Sequence, residues 1–190
     1  EQPGPRDYLR WLDMQNGMIT SMWTNERGKY RCESFASYDG EAILNRFTAP
    51  KGQLDLDVEL QLPNRPIRHG NMVFGSQFTG SSHQLTVTEQ LITLAWAYNP
   101  DFGRKGYVAA IRLIPQGGKI TKTEQGISLR GADSLLIVSR IVKFESDFSF
   151  ACAEPVRRAL MEMDADFDRL LAGNERHIGQ RMDRSRIHLG

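Results

Sequence analysis

Three acidic side chains occupy alternate positions in the run LDLDVELQL, at Asp55, Asp57 and Glu59. Glycoside hydrolysis needs two carboxylates roughly 5 to 10 Å apart across the scissile bond, and side chains two positions apart on one strand face lie about 7 Å from each other. A flat strand face, however, offers neither a cleft nor a means to raise one pKa above the other. We interpret the row as a solvated strand face, with calcium binding as the lesser alternative, and we predict no catalytic residue in it.

An aromatic segment at the end of a predicted strand has the composition of a sugar-binding site. Such sites lay an aromatic ring against the apolar face of a pyranose and use nearby amides and charges on its hydroxyls. The candidate carbohydrate-binding residues are Trp96, Tyr98, Asn99, Asp101 and Phe102. The alternation of LITLAWAY also favours a core position for Trp96 and leaves Tyr98 divided between core and site.

The spacing of histidine and cysteine does not indicate a metal site. No i, i+4 pair and no close Cys/His group occurs among the four histidines, His69, His83, His177 and His188. Cys32 and Cys152 lie far apart without a CxxC spacing. We predict two free thiols and leave a disulfide open. No phosphate-binding glycine motif follows a strand, so we expect neither a metal nor a cofactor.

Composition limits the classes of protein to which this chain can belong. Its 190 residues suffice for one domain, or for one domain with a short appendage. The 24 Lys and Arg residues nearly balance the 23 Asp and Glu residues, which disfavours nucleic acid and anionic membranes as partners. No run approaches the roughly 20 apolar residues of a membrane span. Residues 1–7 lack the features of a signal peptide. Because a mature protein would have lost such a segment, the localisation is left open.

The first 150 positions contain short runs rich in β-branched and aromatic residues, separated by turn residues. This pattern predicts an antiparallel β-sandwich or barrel. The predicted strands are 18–24, 29–36, 42–49, 54–62, 72–78, 84–88, 91–98, 107–114, 119–123 and 134–144. Tight reversals are expected at 25–28 and at Gly117 and Gly118. We expect Trp11 and Trp23 to pack within the sheet.

In LDLDVELQL the alternation is strict. It predicts one apolar, core-facing side and one solvated side for this strand. The residues expected to face the core are Leu54, Leu56, Val58, Leu60 and Leu62.

After residue 150 the apolar period changes from two to about three and a half. One apolar stripe along residues 155–171 predicts a single amphipathic helix that begins at Pro155. We expect the helix to stop at Gly173 and Asn174. The charged stretch that follows is interpreted either as a solvated tail or as a linker.

Several short motifs resemble one protein family. The first set comprises Tyr8, Arg10, Leu12, Asp13, Gly17, Tyr30, Glu33, Phe35, Ala36 and Ser37, and the second comprises Gly106, Tyr107, Arg112, Leu113, Gly117, Gly118, Gly131, Ala132 and Asp133. The closing set is Arg184, Ile187, Leu189 and Gly190. In this order and spacing, they resemble the amino-terminal domain of glycoside hydrolase family 95, the alpha-L-fucosidase type.

The resemblance implies a mainly β fold: an antiparallel, supersandwich-like β-sandwich over 1–150, then a helical linker over 151–190. It further implies an α/α toroid catalytic domain beyond this chain, so no catalytic residue is carried over. That toroid, in the same parent protein, is the expected partner, with glycans as possible ligands. An extracellular or periplasmic location is what the family suggests.

These observations support three hypotheses about function. The first is a non-catalytic amino-terminal domain with a structural, interdomain role beside the catalytic domain, which predicts an exposed apolar patch where the partner packs. The second is a stand-alone carbohydrate-binding β-sandwich module. The third, the least favoured, is a small independent hydrolase that depends on Asp57.

Overall fold

The computed structural model describes residues 6–60, 67–69, 72–74 and 80–182. Strands make up most of this part of the chain. They are β1 (Arg6–Asp13), β2 (Met18–Asn25), β3 (Gly28–Ser37), β4 (Ala42–Thr48), β5 (Leu54–Glu59), β6 (Ile67–His69), β7 (Met72–Phe74), β8 (Ser82–Val87), β9 (Leu91–Ala97), β10 (Gly106–Lys122) and β11 (Gly126–Phe144). Two helices follow, α1 (Ala153–Glu162) and α2 (Phe167–Met182). The predicted antiparallel β fold with a carboxy-terminal helical segment is confirmed.

Two antiparallel meanders build the main sheet. One runs β1-β2-β3-β4 and the other β8-β9-β10-β11, and the pairing of β4 with β11 joins them. β5 pairs with the first part of β11, while β6 and β7 pair with each other. The expected reversal at 25–28 is confirmed, because Asn25 pairs with Gly28 and its side chain accepts the Arg27 N–H at 2.8 Å.

The predicted reversal at Gly117 and Gly118 is wrong. Both residues have positive φ, of 70° and 76°, but they lie inside β10, where the register with β11 shifts by one residue. At this point Asp133 of β11 has no partner in β10, so the two glycines lie opposite a bulge rather than in a turn. The chain reverses farther on, where the Thr123 hydroxyl accepts the N–H of Gly126 at 2.9 Å.

Apolar residues cover both faces of the sheet, which is consistent with a β-sandwich followed by helices. Residues on the face under α1 and α2 form one core with the helices, namely Phe35, Ala42, Leu44, Leu91, Ala95, Val108, Ala110, Val138, Phe148, Val156, Leu160, Phe167 and Leu170. Residues on the other face form a second core, namely Tyr30, Leu54, Val87, Ile92, Leu113, Ile127, Leu129, Ala132 and Leu135.

The alternation predicted in LDLDVELQL is found as far as the strand is described. Leu54 is buried, and Leu56, Val58 and Leu60 pack against the second core. The three acidic side chains between them are exposed or bonded at the surface. The predicted position of Leu62 lies outside the described residues, as do most of strand 72–78 and the closing motif 184–190.

The predicted single helix is wrong, because the helical segment consists of two helices. α1 ends at Glu162, and Met163 has a non-helical ψ of 127°. The Asp166 carboxylate then accepts the backbone N–H of Arg169 at 3.0 Å. This is the bond of an N-cap residue, and it allows α2 to begin at Phe167.

The expected helix stop is also wrong. Gly173 and Asn174 lie within α2, which continues to Met182. Both are buried against the sheet, and this packing outweighs the low helix propensity of glycine. Neither α1 nor α2, the helices of the described segments, is long and apolar enough to cross a membrane.

The edge strand β1 differs from expectation in its burial. Trp11 does lie in a strand, but it is 44% exposed rather than packed. Further large apolar side chains of this segment are exposed, namely Tyr8, Leu9, Leu12 and Met14. β1 pairs only with β2 among the described strands, so its other edge is open.

Candidate functional site

The predicted aromatic sugar site divides between core and surface. Trp96 is only 4% exposed, and its ring lies between the rings of His83 and Tyr107 on the neighbouring strands, at 5.1 and 6.3 Å. Trp96 therefore offers no ring face to a ligand in solution. Tyr98 is half-buried, with its ring centroid 6.1 Å from that of Tyr107.

The loop beyond β9 carries the other predicted residues. Asn99 accepts the N–H of Asp101 at 2.9 Å and so caps a short 3-10 turn. Phe102, in that turn, is 46% exposed. Phe102 is the aromatic residue of the predicted site that is most available to a ligand, and sugar binding at this loop stays a prediction.

The acidic row of β5 is held by basic and backbone donors. Asp55 accepts from Arg27 at 2.7 Å and from the Gly131 N–H at 2.8 Å. Asp57 accepts from Ser128 at 2.5 Å and from Arg130 at 2.6 and 2.9 Å.

These bonds lower the pKa of both carboxyls. The Gly131 N–H, followed by Arg27, lowers the pKa of Asp55, and the Ser128 hydroxyl, followed by Arg130, lowers the pKa of Asp57. A general acid needs a raised pKa. The two carboxylates are instead ionised acceptors that tie β5 to the β2–β3 turn and to β11.

A cavity of about 480 Å³ opens beside this row. We call it the Trp23 cavity, and its lining residues are Trp23, Asn25, Glu26, Arg27, Tyr30, Phe47, Gln53, Leu54, Asp55 and Leu56. The rings of Trp23 and Tyr30 stack at 5.6 Å with an angle of 11° between their planes. The Tyr30 hydroxyl donates to the Gln53 carbonyl at 3.0 Å and fixes this pair against the segment that enters β5.

Sequence reasoning missed the Trp23 cavity. Trp23 was expected to pack, and it does stack on Tyr30, but it is only half-buried and lines the cavity wall. The polar wall comes from the turn at 25–28 and from β5, two segments that no periodicity relates to each other. The sequence feature that could have indicated this cavity is the tryptophan that lies shortly before the polar hairpin turn.

The two helices are fixed to the sheet by polar contacts as well as by the shared core. Arg112 of β10 donates to the carbonyls of Leu160 and Met163 at 3.3 and 3.1 Å, which satisfies the end of α1. Arg46 of β4 bonds Asp168 at 2.9 Å and lies 3.9 Å from the ring centroid of Phe167. The start of α2 is therefore clamped by one side chain of the sheet.

In the segments that the structure describes, no three His, Cys, Asp or Glu side chains gather in a way that could bind an ion. His177 of α2 pairs with Asp39 at 2.8 Å. Cys32 and Cys152 are free thiols, and burial raises the pKa of Cys32.

Comparison with known proteins matches this chain to a family model and to solved structures. The family model described as "Glycosyl hydrolase family 65, N-terminal domain" matches residues 1–149. A solved structure described as "Putative kojibiose phosphorylase from human microbiome" matches with a TM-score of 0.64 and 12% sequence identity. The match covers 92% of this chain and 23% of that chain. No curated protein matches.

Proposed function

This chain belongs to the family of glycosyl hydrolase family 65 N-terminal domains, and from that membership we propose that it is a non-catalytic domain whose role is to support a catalytic domain of the same polypeptide. The observation that carries the proposal is the family match over residues 1–149. The match covers only 23% of the structural relative, so in that protein a domain of this fold is part of a much longer chain. We call the longer polypeptide to which we assign this chain the parent enzyme.

The surface of β1 supports an interdomain role. Leu9 and Trp11 share one face of β1 and are exposed, and the outer edge of this strand is open in the described chain. Contiguous exposed apolar side chains mark interaction surfaces, and an open strand edge is usually covered in a complete protein. We place the contact with the catalytic domain here.

The helices support the proposed linker role. In the proposed division, residues 1–150 form the β domain and 151–190 lead towards an α/α toroid. Residues of α1 and α2 lie in the same core as the sheet, and Arg46 and Arg112 bond both helices to strands. A segment held in this way leaves the sheet in a fixed direction, as a rigid connector must.

The parent's reaction is the finer part of the proposal. The motifs in the sequence resemble the alpha-L-fucosidase type of family 95, whereas the family that matches is family 65. Family 95 itself is not supported by the comparisons, which establish an amino-terminal domain of a glycoside hydrolase. Fucoside hydrolysis and phosphate-dependent cleavage of an α-glucosyl disaccharide are therefore the two reactions to assay.

The test uses the longer reading frame beside the 190-residue chain. We expect the longer protein to cleave an aryl α-L-fucoside, or kojibiose in the presence of phosphate, and the chain alone to cleave neither. Activity of the chain alone, or a reading frame that continues without a helical domain, contradicts the proposal.

A matched pair of variants in the longer protein tests the position of the contact. Trp11→Glu is expected to lower its melting temperature or its activity, because a charge would be buried against the catalytic domain. Phe102→Glu changes an aromatic residue of similar exposure, 46% against 44%, and is expected to change neither property. Equal effects of the two variants count against the β1 contact.

A further inference from the structure

The Trp23 cavity has the aromatic component of a sugar site. Trp23 is half-buried and lines the wall, and its stacking on Tyr30 holds the indole in one orientation. A fixed ring is a favourable surface for the apolar face of a pyranose because no side-chain freedom is lost on binding. Phe47 and Leu56 extend the apolar part of the wall.

The lining of the cavity also supplies hydrogen-bonding groups. Arg27 and Asp55 are paired at 2.7 Å, with 56% and 37% of their side chains exposed. Asp55 is also held by the Gly131 N–H, so it is fixed before any ligand arrives. A guanidinium beside a carboxylate offers both donors and acceptors, which is what neighbouring sugar hydroxyls require.

The charges in the lining select against acidic ligands. Arg27 contributes one positive charge, and Glu26 and Asp55 contribute two negative charges. Among the described residues of the lining, Arg27 carries the only guanidinium, and it is already paired with Asp55. A phosphate or uronate would therefore meet no unpaired cation among them. A neutral ring with several hydroxyls fits the same groups without this penalty.

We propose that the Trp23 cavity binds one neutral pyranoside ring, with Trp23 as the stacking surface and with Arg27 and Asp55 bonded to adjacent hydroxyls. The cavity volume lies within the roughly 300 to 1,000 Å³ typical of small-molecule sites. The site lies on residues that no comparison assigns. The named lining residues all belong to this chain, so the proposal stands whether or not the proposed interdomain role is correct.

Binding is measured on the 190-residue chain by ¹H–¹⁵N NMR. The neutral probes are methyl α-L-fucopyranoside, kojibiose and maltose, and the charged probes are galacturonate and glucose 1-phosphate. We expect at least one neutral probe to shift the indole N–H of Trp23 and the amides of Arg27 and Gln53. The charged probes are expected to bind more weakly than the best neutral one.

Variants separate this cavity from the loop beyond β9. Trp23→Ala and Arg27→Ala are each expected to weaken binding by about tenfold, and Trp23→Phe is expected to retain most of it. Phe102→Ala removes the exposed ring of the loop beyond β9 and is expected to leave the ligand-induced shifts of Trp23, Arg27 and Gln53 unchanged. If Trp23→Ala does not fold, Arg27→Ala decides, because its side chain is largely exposed.

Three outcomes overturn the proposal. The first is that none of the neutral probes perturbs the cavity residues. The second is that binding survives Arg27→Ala and is lost in Phe102→Ala, which places the sugar at the loop instead. The third is that glucose 1-phosphate or galacturonate binds more tightly than every neutral probe.

Discussion

The side-chain amide of Asn174 donates to the carbonyl oxygen of Ala36 at 2.7 Å and so joins two segments 138 positions apart. The same side chain accepts the backbone N–H of Tyr38 at 2.9 Å, and Asn174 is only 3% exposed. One buried amide thus satisfies two backbone groups where β3 ends. This pair of bonds fixes the middle of α2 to the sheet.

Removal of this amide is expected to destabilise the fold. Asn174→Ala should lower the free energy of unfolding by about 1 to 3 kcal/mol, because two partly buried hydrogen bonds to the backbone are lost. Urea denaturation followed by circular dichroism measures the change. Gln180→Ala, on an exposed position of the same helix, is the control and should have little effect. Equal losses in both variants would show that α2 is held by something else.

The buried carboxylate of Glu33 predicts that the loss of one of its arginine partners costs more stability than the loss of an arginine from an exposed ion pair. Glu33 has a side chain 7% exposed and pairs with Arg31 and Arg46. Arg46→Ala should cost about 3 kcal/mol, because it removes one partner of a buried carboxylate. Arg158→Ala removes an exposed pair with Glu154 and should cost no more than about 0.5 kcal/mol. Denaturation midpoints that fall equally would contradict this account.

The carboxyls of β5 predict a loss of stability in acid. Their pKa values are lowered, so the stability that they contribute is present above the ordinary carboxyl pKa and is lost as the pH falls through the lowered values. ¹³C NMR titration measures each carboxyl directly. Ser128→Ala and Arg130→Ala should each raise the pKa of Asp57, because each removes a hydrogen bond that lowers it. An unchanged pKa of Asp57 in both variants would be inconsistent with the structure.

The register shift between β10 and β11 predicts a difference between two glycines of positive φ. A Cβ at Gly118 would lie 2.7 Å from the Arg130 carbonyl oxygen, whereas a Cβ at Gly103 would meet nothing within 4 Å. Gly103→Ala should cost about 1 to 3 kcal/mol from its backbone conformation alone, with φ of 82° and ψ of −178°. Gly118→Ala should cost more because the backbone must also move. Thermal unfolding compares the two, and equal melting temperatures would argue against the bulge geometry.

What the sequence could predict was local. The alternation of Leu54, Leu56 and Val58 with acidic residues determined which side of β5 faces the core, because side-chain direction in a strand depends only on position. The apolar stripe from 155 to 171 gave the buried face of the helices. It did not reveal the break at Met163, since both helices continue the same stripe and the cap at Asp166 is a signal of one residue.

What the sequence could not predict depends on contacts between distant segments. Trp96 and Trp23 both lie in apolar strand patterns, yet one is buried between rings and the other lines a cavity. The difference arises because the turn at Arg27 approaches β5 at Asp55. Likewise, Gly117 and Gly118 signal positive φ, but only the pairing of β10 with β11 decides that the chain continues forward.

The family match ends at residue 149, whereas Val156, Leu160, Phe167 and Leu170 complete the core beneath the sheet. A fusion protein that ends at residue 149 would lack both helices and would expose the apolar sheet residues that they cover. We expect such a protein to aggregate. Anyone transplanting this domain into another protein should therefore carry the sequence at least through Met182, where α2 ends. Natural recombination between proteins that carry this domain faces the same constraint on where a crossover yields a folded hybrid.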